Sequence, residues 1–475
     1  MKGTKILSVW ILLVLIGIVS TAYGQEVTAS IYGTVRDQSG AVVAGATVEA
    51  IQVSTNTTRS TTTDSAGAYQ IPLLPAGTYT LTVSYTGFKT YRQTGIVLQI
   101  NQHAEIDINL ILGKAVEQVQ VVASAPVLTT DNATIGKVDD STTVQMMPLN
   151  GRLTITGLMA LAPGIQNAGM QDQVPAYGVA PSIGGVYSYN GVGFTLDGNR
   201  NEAGNIERGL GEYPPLDGIE EFKVITSNAS AEYTNLGQVI VLSKGGANQI
   251  HATLLEFNRN RFSAAQTFFN TSQRLAEYNR NEFGGNVSGP VYFPGIYDGR
   301  NRSFFFFNYE DMRLYQPNSA SAQVPTVKMR QGNFSEFSQT IYNPLTGLAY
   351  PGNIIPTAEN PVSAWFQSYY PLPTKSGTGV NLYEQWVVPS LVPRYTMRGD
   401  HVVSSKTQIN GTAMFNWMGP YPSPGPVSTF GGMSKVGEHI INTQLALTHT
   451  FTPSIVSESR LGYLHQTVFR VTQNV

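Results

Sequence analysis

The sequence predicts a mainly β protein, and three observations lead to this prediction. Apolar and polar residues alternate with a period of two near the start of the chain and again after residue 400, as in strands with one buried face. Charged residues make up only 13% of the chain, whereas Gly (47), Tyr (24) and Phe (20) are plentiful. Beyond the first 24 residues, no apolar run reaches the length of about 18 that indicates a membrane-spanning helix. We therefore predict a leader at 1–24 and three β-rich parts at 25–112, 113–249 and 250–475.

The composition also excludes several classes of function. The chain has 29 basic and 31 acidic residues, a formal charge of −2, so no basic surface for nucleic acid is indicated. It has no cysteine, which excludes disulfides, thiolate metal sites and a cysteine nucleophile.

The first residues have the pattern of a signal peptide. Lys2 and Lys5 precede the apolar run Ile6–Val19, and small residues follow at Ala22 and Gly24. The alternative is an uncleaved membrane anchor, but the run is shorter than the roughly 20 residues that a span requires. Cleavage after Gly24 and export are therefore expected.

Residues 25–112 predict a small antiparallel β-sandwich. Tyr79 and Tyr85 lie on the apolar phase of one alternating segment, which places both in the core, and 106–110 alternate in the same way. The turn sequences DQSG (37–40) and DSAG (64–67) separate the strands.

The sandwich segment resembles the carboxypeptidase regulatory-like domain. The residues that carry the resemblance are ASIYGTVRDQSGAVVAGATVEA and DSAGAYQIPLLPAGTYTLTVSYTGFKTY. The resemblance implies a prealbumin-like sandwich related to starch-binding folds. It opens an alternative function, a cell-surface carbohydrate-binding or adhesion protein, in which Tyr69, Tyr79 and Tyr85 are candidates to stack on sugar.

No enzyme, cofactor or metal is expected. The histidines form neither HxxE nor HExxH, and GxSxG, phosphate-loop and dinucleotide motifs are missing from the sequence. Glu310 and Asp311 could be taken for a pair of catalytic carboxylates, but neighbours on a strand point to opposite faces. We interpret this pair as a strand end that enters a turn. A soluble secreted enzyme of another type stays open as a class, without residues that favour it.

Residues 113–249 predict a compact α+β unit, because a short helical pattern, LTITGLMALAPGI (153–165), lies among short strands and Gly-rich loops. This part resembles the plug domain of TonB-dependent receptors, particularly of the Oar-like group. Four blocks match in order: SAPVLTTDNATIGKVDDSTTVQMMPLNGR, LAPGI, FTLDG with Asp197, and DGIEEFKVITSNASAEY.

Residues 250–475 predict strands of a transmembrane β-barrel. In QINGTAMFNWM (408–418), one face is apolar and includes Phe415 and Trp417. The other face is mostly polar and includes Asn410 and Asn416. A soluble sandwich gives the same alternation, so the aromatic content, the leader and the preceding plug decide for a barrel. In SFFFFNYED we expect Phe305, Phe307 and Tyr309 to face lipid, and Phe304 and Phe306 to face inward. The block NRNEFGGNVSGPV with NRSFFFFNYEDMR also resembles the first barrel strands of Oar-like receptors.

The length of this part predicts an incomplete barrel. A plugged outer-membrane transporter needs about 22 strands. Residues 250–475 suffice for about ten strands with their connections. The expected structure is an open, curved sheet around the plug.

The resemblance implies a receptor in the outer membrane of a Gram-negative-type bacterium. Such a receptor binds a substrate outside and imports it with energy from TonB, so the implied partners are TonB, outer-membrane lipid and a small-molecule, glycan or peptide substrate. The family's TonB box pairs with TonB as an added strand. The candidate here lies in VEQVQVV: Glu117, Gln118, Val119, Gln120, Val121 and Val122. The alternative is a closing strand of the sandwich or an ordinary linker.

Overall fold

The computed structural model describes residues 27–113, 118–122, 134–147, 152, 155–166, 182–185, 191–202, 211–212, 214–233, 235–263, 278–356, 361–423, 434–452 and 455–472. The expected signal peptide at 1–24 lies outside these residues. None of the helices within them combines the length and apolar character that crossing a membrane requires. The described chain is mainly β, as predicted, and forms a sandwich, an α+β unit and a large sheet.

The sandwich consists of two sheets packed face to face. Its strands are β1 Ala29–Asp37, β2 Thr47–Gln52, β3 Thr58–Thr62, β4 Ala68–Leu74, β5 Gly77–Ser84, β6 Thr90–Leu98, β7 His103–Glu105, β8 Ile108–Leu110 and β9 Gln118–Val122. One sheet has the order β4-β1-β7, with β8 also on β1, and the other has the order β3-β2-β5-β6-β9. Alternate residues of both sheets, such as Ile31, Leu81 and Ile96, form the core between them.

Two details of the predicted sandwich are wrong. The sandwich is not purely antiparallel, because β7 and β8 run parallel to β1, and β9 runs parallel to β6. Tyr79 is buried as predicted, but Tyr85 is 39% exposed. The reason is that β5 ends at Ser84, so Tyr85 already belongs to the turn at Gly87 rather than to the alternating strand.

Aspartates organise the predicted turns. The Asp37 carboxylate accepts hydrogen bonds from the Ser39 amide and hydroxyl and from the Ala41 amide. These bonds to the charged form lower the pKa of Asp37. Asp64 accepts the amides of Ala66 and Ala68 in the same way. Both turns are therefore fixed by local chemistry, which explains why the sequence predicts them.

The α+β unit is built on one mixed sheet. Its elements are β10 Ile135–Asp140, α1 Ser141–Met146, α2 Thr156–Met159, β11 Ile165–Gln166, β12 Ser182–Ile183, β13 Val192–Leu196, β14 Asn199–Arg200, a 3-10 turn at Leu216–Gly218, β15 Ile219–Ser227 and β16 Gly237–Ser243. The main sheet has the order β10-β15-β16-β13-β14. Its core contains Phe194 and Phe222 and is completed by Met414 and Ile440 of the large sheet.

The helices of this unit differ from the predicted pattern. Within 155–166 only the four residues of α2 are helical. The helix α1 was not predicted, although Asp140 caps it by accepting the Thr143 amide at 2.8 Å.

The large sheet contains seven strands in the described residues. Its elements are β17 His251–Asn260, a 3-10 turn at Arg261–Ser263, β18 Asn279–Pro290, a small hairpin of β19 Tyr292–Phe293 and β20 Tyr297–Asp298, β21 Ser303–Ala322, α3 Val327–Arg330, a 3-10 turn at Pro351–Asn353, α4 Pro361–Ser368, β22 Leu382–Ser404, β23 Thr407–Ser423, β24 Ser434–Thr452 and β25 Ile455–Thr472. The strands pair in the order β17-β18-β21-β22-β23-β24-β25, and each pair is antiparallel. In this part of the chain β17 and β25 do not pair, so the sheet is open, as expected.

The described residues form seven strands of the large sheet rather than the expected number of about ten, for two reasons. The strands are long: β23 has 17 residues and β22 has 23. The connection between β21 and β22 also takes up residues 323–381, which carry α3 and α4.

The two faces of the large sheet follow the predicted alternation. Thr412, Met414 and Asn416 are buried on the inner face, which contacts the α+β unit, whereas Trp417 is 41% and Leu461 75% exposed on the outer face. Phe304 and Phe306 are buried, as expected for the inner phase. On the outer face the rings of Tyr309, Tyr395 and Trp417 follow one another at 5.0 and 5.6 Å between centroids. Such a row is typical of the aromatic girdle at a membrane interface.

Candidate functional site: the contact of the α+β unit with the large sheet

A buried ion network joins the α+β unit to the inner face of the large sheet. Arg152 and Asp217 of the unit form a salt bridge with 2.7 Å between Nη2 and Oδ2. The Asp217 amide donates to Glu310 Oε1 at 3.3 Å, and Arg394 Nη2 lies 3.2 Å from Glu310 Oε2. All four residues are at most 7% exposed. We call these four residues the first network.

Glu310 is a functional residue that the sequence interpretation missed. Glu310 and Asp311 do not end a strand, because both lie inside β21. Glu310 lies in the first network, while Asp311 pairs with Arg313 at 3.0 Å. The sequence did hold a signal for this role. Glu310 is an even number of residues from Phe304 and Phe306, so it lies on the same inner face of the strand, and a carboxylate on that face needs a buried cation.

A second network holds the turn between β13 and β14. The Asp197 carboxylate accepts the Ser243 amide and the Ser243 hydroxyl, each at 2.7 Å. Arg398 of β22 approaches Asp197 Oδ1 at 3.8 Å, donates to the Ser243 carbonyl at 2.8 Å and pairs with Asp400 at 3.0 Å. The predicted FTLDG block therefore places Asp197 at the contact with the large sheet.

The same turn is held from β25 on its other side. Arg460 Nη1 donates to the Asp197 carbonyl at 2.9 Å, and Arg460 pairs with Glu458 at 2.6 Å. Asp197 and Gly198 both have positive φ, 49° and 86°, as a two-residue hairpin turn of type I′ requires. A Cβ on Gly198 would overlap the guanidinium of Arg460. The position therefore requires glycine for both its backbone conformation and its contact.

Charged residues beside the networks have shifted pKa values. Glu220 and Lys244 lie on adjacent segments of the α+β unit, near Arg398 and Asp217 respectively. Burial raises the pKa of Glu220 and lowers the pKa of Lys244, because it penalises the charged form of each. The opposite charges partly offset this penalty. The charged form of each group thus has a cost in free energy at this place.

Much of the inner face is polar but incompletely hydrogen-bonded. Within the described residues, buried atoms without a hydrogen-bond partner include Asn308 Oδ1, Thr396 Oγ1, both amide atoms of Asn416, Glu438 Oε2 and Asn442 Nδ2. These residues line β21 to β24 on the side of the α+β unit. A displaced unit would expose them to water, which can hydrogen-bond to each atom.

The candidate TonB box lies at the edge of the sandwich. Gln118–Val122 form β9, which pairs with β6 in the register Thr90↔Gln118 to Thr94↔Val122. In the described part of the chain β9 has no strand on its other side. Val121 is 37% exposed. Glu117 lies outside the described residues. In the structure β9 is therefore a closing strand of the sandwich, which is the alternative interpretation of this segment. The contact with TonB stays a prediction.

The residues proposed for sugar stacking are mostly inaccessible. Tyr69 and Tyr79 are 4% and 2% exposed, and their hydroxyls donate to the carbonyls of Ile106 and Pro75. Burial raises the pKa of both phenols. Tyr85 alone of the three reaches the surface, where its ring lies 6.0 Å from that of Phe88. Among the residues that the structure describes, no cluster of three or more His, Asp or Glu is placed to hold a metal ion.

Two parts of the chain match known protein families. Residues 242–475 match the outer membrane beta barrel domain, and residues 30–111 match the carboxypeptidase regulatory-like domain. Residues 242–475 are thus similar to outer membrane β-barrel domains, a regulatory-like sandwich lies ahead of them, and more than half of the chain resembles a TonB-dependent transporter. The predicted location in the outer membrane is thereby confirmed, and so is the expectation that the chain is not an enzyme. The boundaries predicted at 25, 113 and 250 stay predictions.

One curated protein similar to this chain is the TonB-dependent transporter Oar of Myxococcus xanthus. It is 26% identical over 291 residues, which cover 57% of this chain and 26% of the relative. The chain thus spans about a quarter of the length of this curated relative. The predicted Oar-like resemblance is confirmed.

Three solved structures that align with part of this chain are the following. The outer membrane transporter YddB from Escherichia coli aligns with a TM-score of 0.46 and 9% identity, over 70% of this chain and 39% of that chain. The ferric enterobactin receptor PfeA from Pseudomonas aeruginosa gives 0.41 and 11%, over 69% and 40%. The siderophore receptor PiuA from Acinetobacter baumannii gives 0.35 and 14%, over 71% and 46%.

Proposed function

We propose that this chain works in energised uptake across the outer membrane, with the α+β unit as a plug and the large sheet as the barrel wall. One observation carries the proposal: two ion networks, the first of them fully buried, fix the plug to the inner face of the wall. Arg152, Asp217, Glu310 and Arg394 form one, and Asp197 with Arg398 and Asp400 forms the other.

The networks make spontaneous opening rare. Separating one partner from a buried ion pair costs about 3–5 kcal/mol, and moving the plug breaks both networks at once. Thermal motion then opens the path only in a very small fraction of molecules. External work on the plug is therefore needed, and we propose that TonB supplies it from the inner membrane.

The contact with TonB is proposed at Glu117–Val122. The edge strand β9 offers backbone donors and acceptors for strand addition, which relies on main-chain bonds and tolerates varied side chains. Its place at the sandwich edge supports this, because β9 is already extended and needs little ordering to accept another strand.

Deletion of Glu117–Val122 from the complete receptor tests this contact. We expect energised uptake to stop, while barrel assembly and substrate binding at the cell surface stay unchanged. The matched control is the double substitution Val119→Ala and Val121→Ala, which keeps the backbone and should keep most of the uptake. Unchanged uptake after the deletion would remove the assignment.

The substrate is proposed as a small molecule, a glycan or a peptide. Growth of a deletion strain on a panel of iron sources, glycans and peptides would identify the class. Fractionation tests the alternative, a carbohydrate-binding or adhesion protein that acts through the sandwich. Material that needs detergent for release from the outer membrane supports the transporter, and freely soluble material rejects it.

A further inference from the structure

The large sheet has one rim with short connections and one with long connections. The short connections join β22 to β23 at Ser404–Thr407 and β24 to β25 at Thr452–Ile455, and the turn from β18 to β21 lies on the same side. The chain also enters β17 from the plug at this side. We call this the short-turn rim. In outer-membrane barrels the short turns face the periplasm, so this rim is the periplasmic one.

The sandwich is docked on the short-turn rim through polar contacts. Asn56 of the sandwich donates its side-chain amide to Asn301 Oδ1 at 3.0 Å. Asn301 in turn donates its backbone amide to Asn248 Oδ1 at 2.6 Å, and the Asn248 amide donates to the Ser54 carbonyl at 2.9 Å. Asn56 and Asn301 both have left-handed backbone conformations, with φ of 55° and 60°. Two turns thus present their asparagines to each other.

A second contact joins the sandwich to the plug itself. The Ile100 amide donates to Glu221 Oε2 at 2.7 Å, and Lys223 Nζ donates to the Ile100 carbonyl at 3.1 Å. Glu221 and Lys223 are two residues apart on β15, so they lie on one face and hold the same sandwich residue from both sides. The Ile100 side chain is fully buried and packs with Ile225 and Ile240 of the plug.

The docked sandwich forms one side of a half-open cavity of about 620 Å³ between the plug and the barrel wall. The sandwich lines it with Gln52–Thr55, Thr57 and Pro75–Thr78, the plug with Ser243–Ala247, and the wall with Arg398, Asp400–Val402 and Gln408–Asn410. The cavity therefore lies where a substrate moving along the wall would leave towards the periplasm, and the sandwich stands across this exit.

We propose that the sandwich is a cap on the periplasmic exit, which must undock from the short-turn rim before substrate can leave between the plug and the wall. The cap rests on the proposed transport function. Its contacts with Asn301 and Asn248 at the rim suit a reversible role, because they are single hydrogen bonds between neutral amides, which contribute little net free energy each. The candidate TonB box is part of the cap, since β9 belongs to its sheet, so a pull on β9 acts on the cap first.

A reversible cross-link between cap and rim tests the proposal. The chain has no cysteine, so Asn56→Cys with Asn301→Cys adds the only thiols, and a bifunctional thiosulfonate can join them in the complete receptor. We expect the cross-linked protein to bind substrate at the surface but to lose uptake, and reductant to restore it. Uptake by the cross-linked protein at the rate of the single-cysteine variants would overturn the cap.

The matched control places the cross-link within the sandwich. Glu49 and Ser60 are opposite each other on β2 and β3, so Glu49→Cys with Ser60→Cys closes a disulfide that does not join the cap to the rim. This variant should transport as the unmodified protein does. If neither the control nor the single-cysteine variants transport any substrate, the proposed transport function fails, and the next measurement decides the cap alone.

Cavity accessibility gives a readout that does not depend on transport. Asn410→Cys places one thiol in the cavity, and a membrane-impermeant maleimide added from the periplasm reports its exposure. Adding Asn301→Ala and Glu221→Ala removes hydrogen bonds on both sides of the cap, which should speed labelling about tenfold or more. Equal labelling rates with and without these substitutions would show that the sandwich does not restrict access to the cavity.

Discussion

Replacing Gly198 by alanine should loosen the plug from the barrel wall. Gly198 has φ of 86°, and an alanine in this left-handed conformation costs about 1–2 kcal/mol. The new methyl group would overlap the Arg460 guanidinium, which must then give up its bond to the Asp197 carbonyl. A hydrogen bond from a charged group contributes about 1.5–3 kcal/mol. The total expected loss is about 2.5–5 kcal/mol.

Hydrogen exchange in the detergent-solubilised complete receptor measures this loss. The reporters are the Asp197 amide, which donates to the Val241 carbonyl, and the Ser243 amide, which donates to Asp197. A loss of about 2.5–5 kcal/mol should speed their exchange by about 10² to 10⁴.

Two further variants separate strain from contact. In the Arg460→Ala background there is no guanidinium to displace, so Gly198→Ala should cost only the backbone strain of about 1–2 kcal/mol. Gly164→Ala puts alanine at a φ of 84° elsewhere in the plug, with no atom within 4 Å of its Cβ, and should leave both reporters unchanged. Equal costs of Gly198→Ala with and without Arg460 would refute the contact as an anchor of the plug.

Three other predictions follow from the same interfaces. Glu310→Ala leaves Arg394 buried without its carboxylate and should lower the unfolding free energy by about 3–5 kcal/mol; adding Arg394→Ala should recover part of this in denaturant melts, and strictly additive losses would argue against the pair. Burial raises the pKa of Glu221 to about 7 from its ordinary 4.5, although the hydrogen bond from the Ile100 amide of the sandwich lowers it, so the protonated acid is favoured in the docked arrangement. Docking should then be tightest below about pH 4.5 and weaken as pH rises through about 7; Asn410→Cys labelling followed against pH should show this trend, and Glu221→Gln should flatten it. The fragment 25–112 should fold alone as a soluble β-sandwich, whereas 25–122 should be more stable because it keeps β9 on β6; a denatured amide spectrum for both fragments would reject an independent sandwich.

The sequence predicts those features that depend on local chemistry. The two-residue period separated inner Met414 and Asn416 from outer Trp417, since strand geometry fixes which face each residue occupies. The Asp37 and Asp64 turns were predictable because their hydrogen bonds close within four residues. Tyr85 was misplaced because alternation does not show where a strand stops.

Contacts between distant parts of the chain could not be predicted from the sequence. The salt bridge between Glu310 and Arg394 joins residues 84 positions apart, and only the register of β21 on β22 places them opposite each other. The parallel pairing of β9 with β6 and the docking of Ile100 on β15 likewise depend on how distant segments meet. A single sequence gives no information on such encounters, whereas the FTLDG block was found through resemblance.

The length of the barrel strands determines how far the receptor stands above the lipid. The strand β22 has 23 residues, which at about 3.3 Å each and a tilt of about 45° give a height of about 50 Å. The apolar band of such a barrel is only about 25 Å tall. Because the short-turn rim keeps its connections close to the periplasmic surface, most of the surplus wall must rise on the opposite side. The connection between β21 and β22 is thereby carried well clear of the headgroups, where a bulky ligand can reach it without approaching the bilayer.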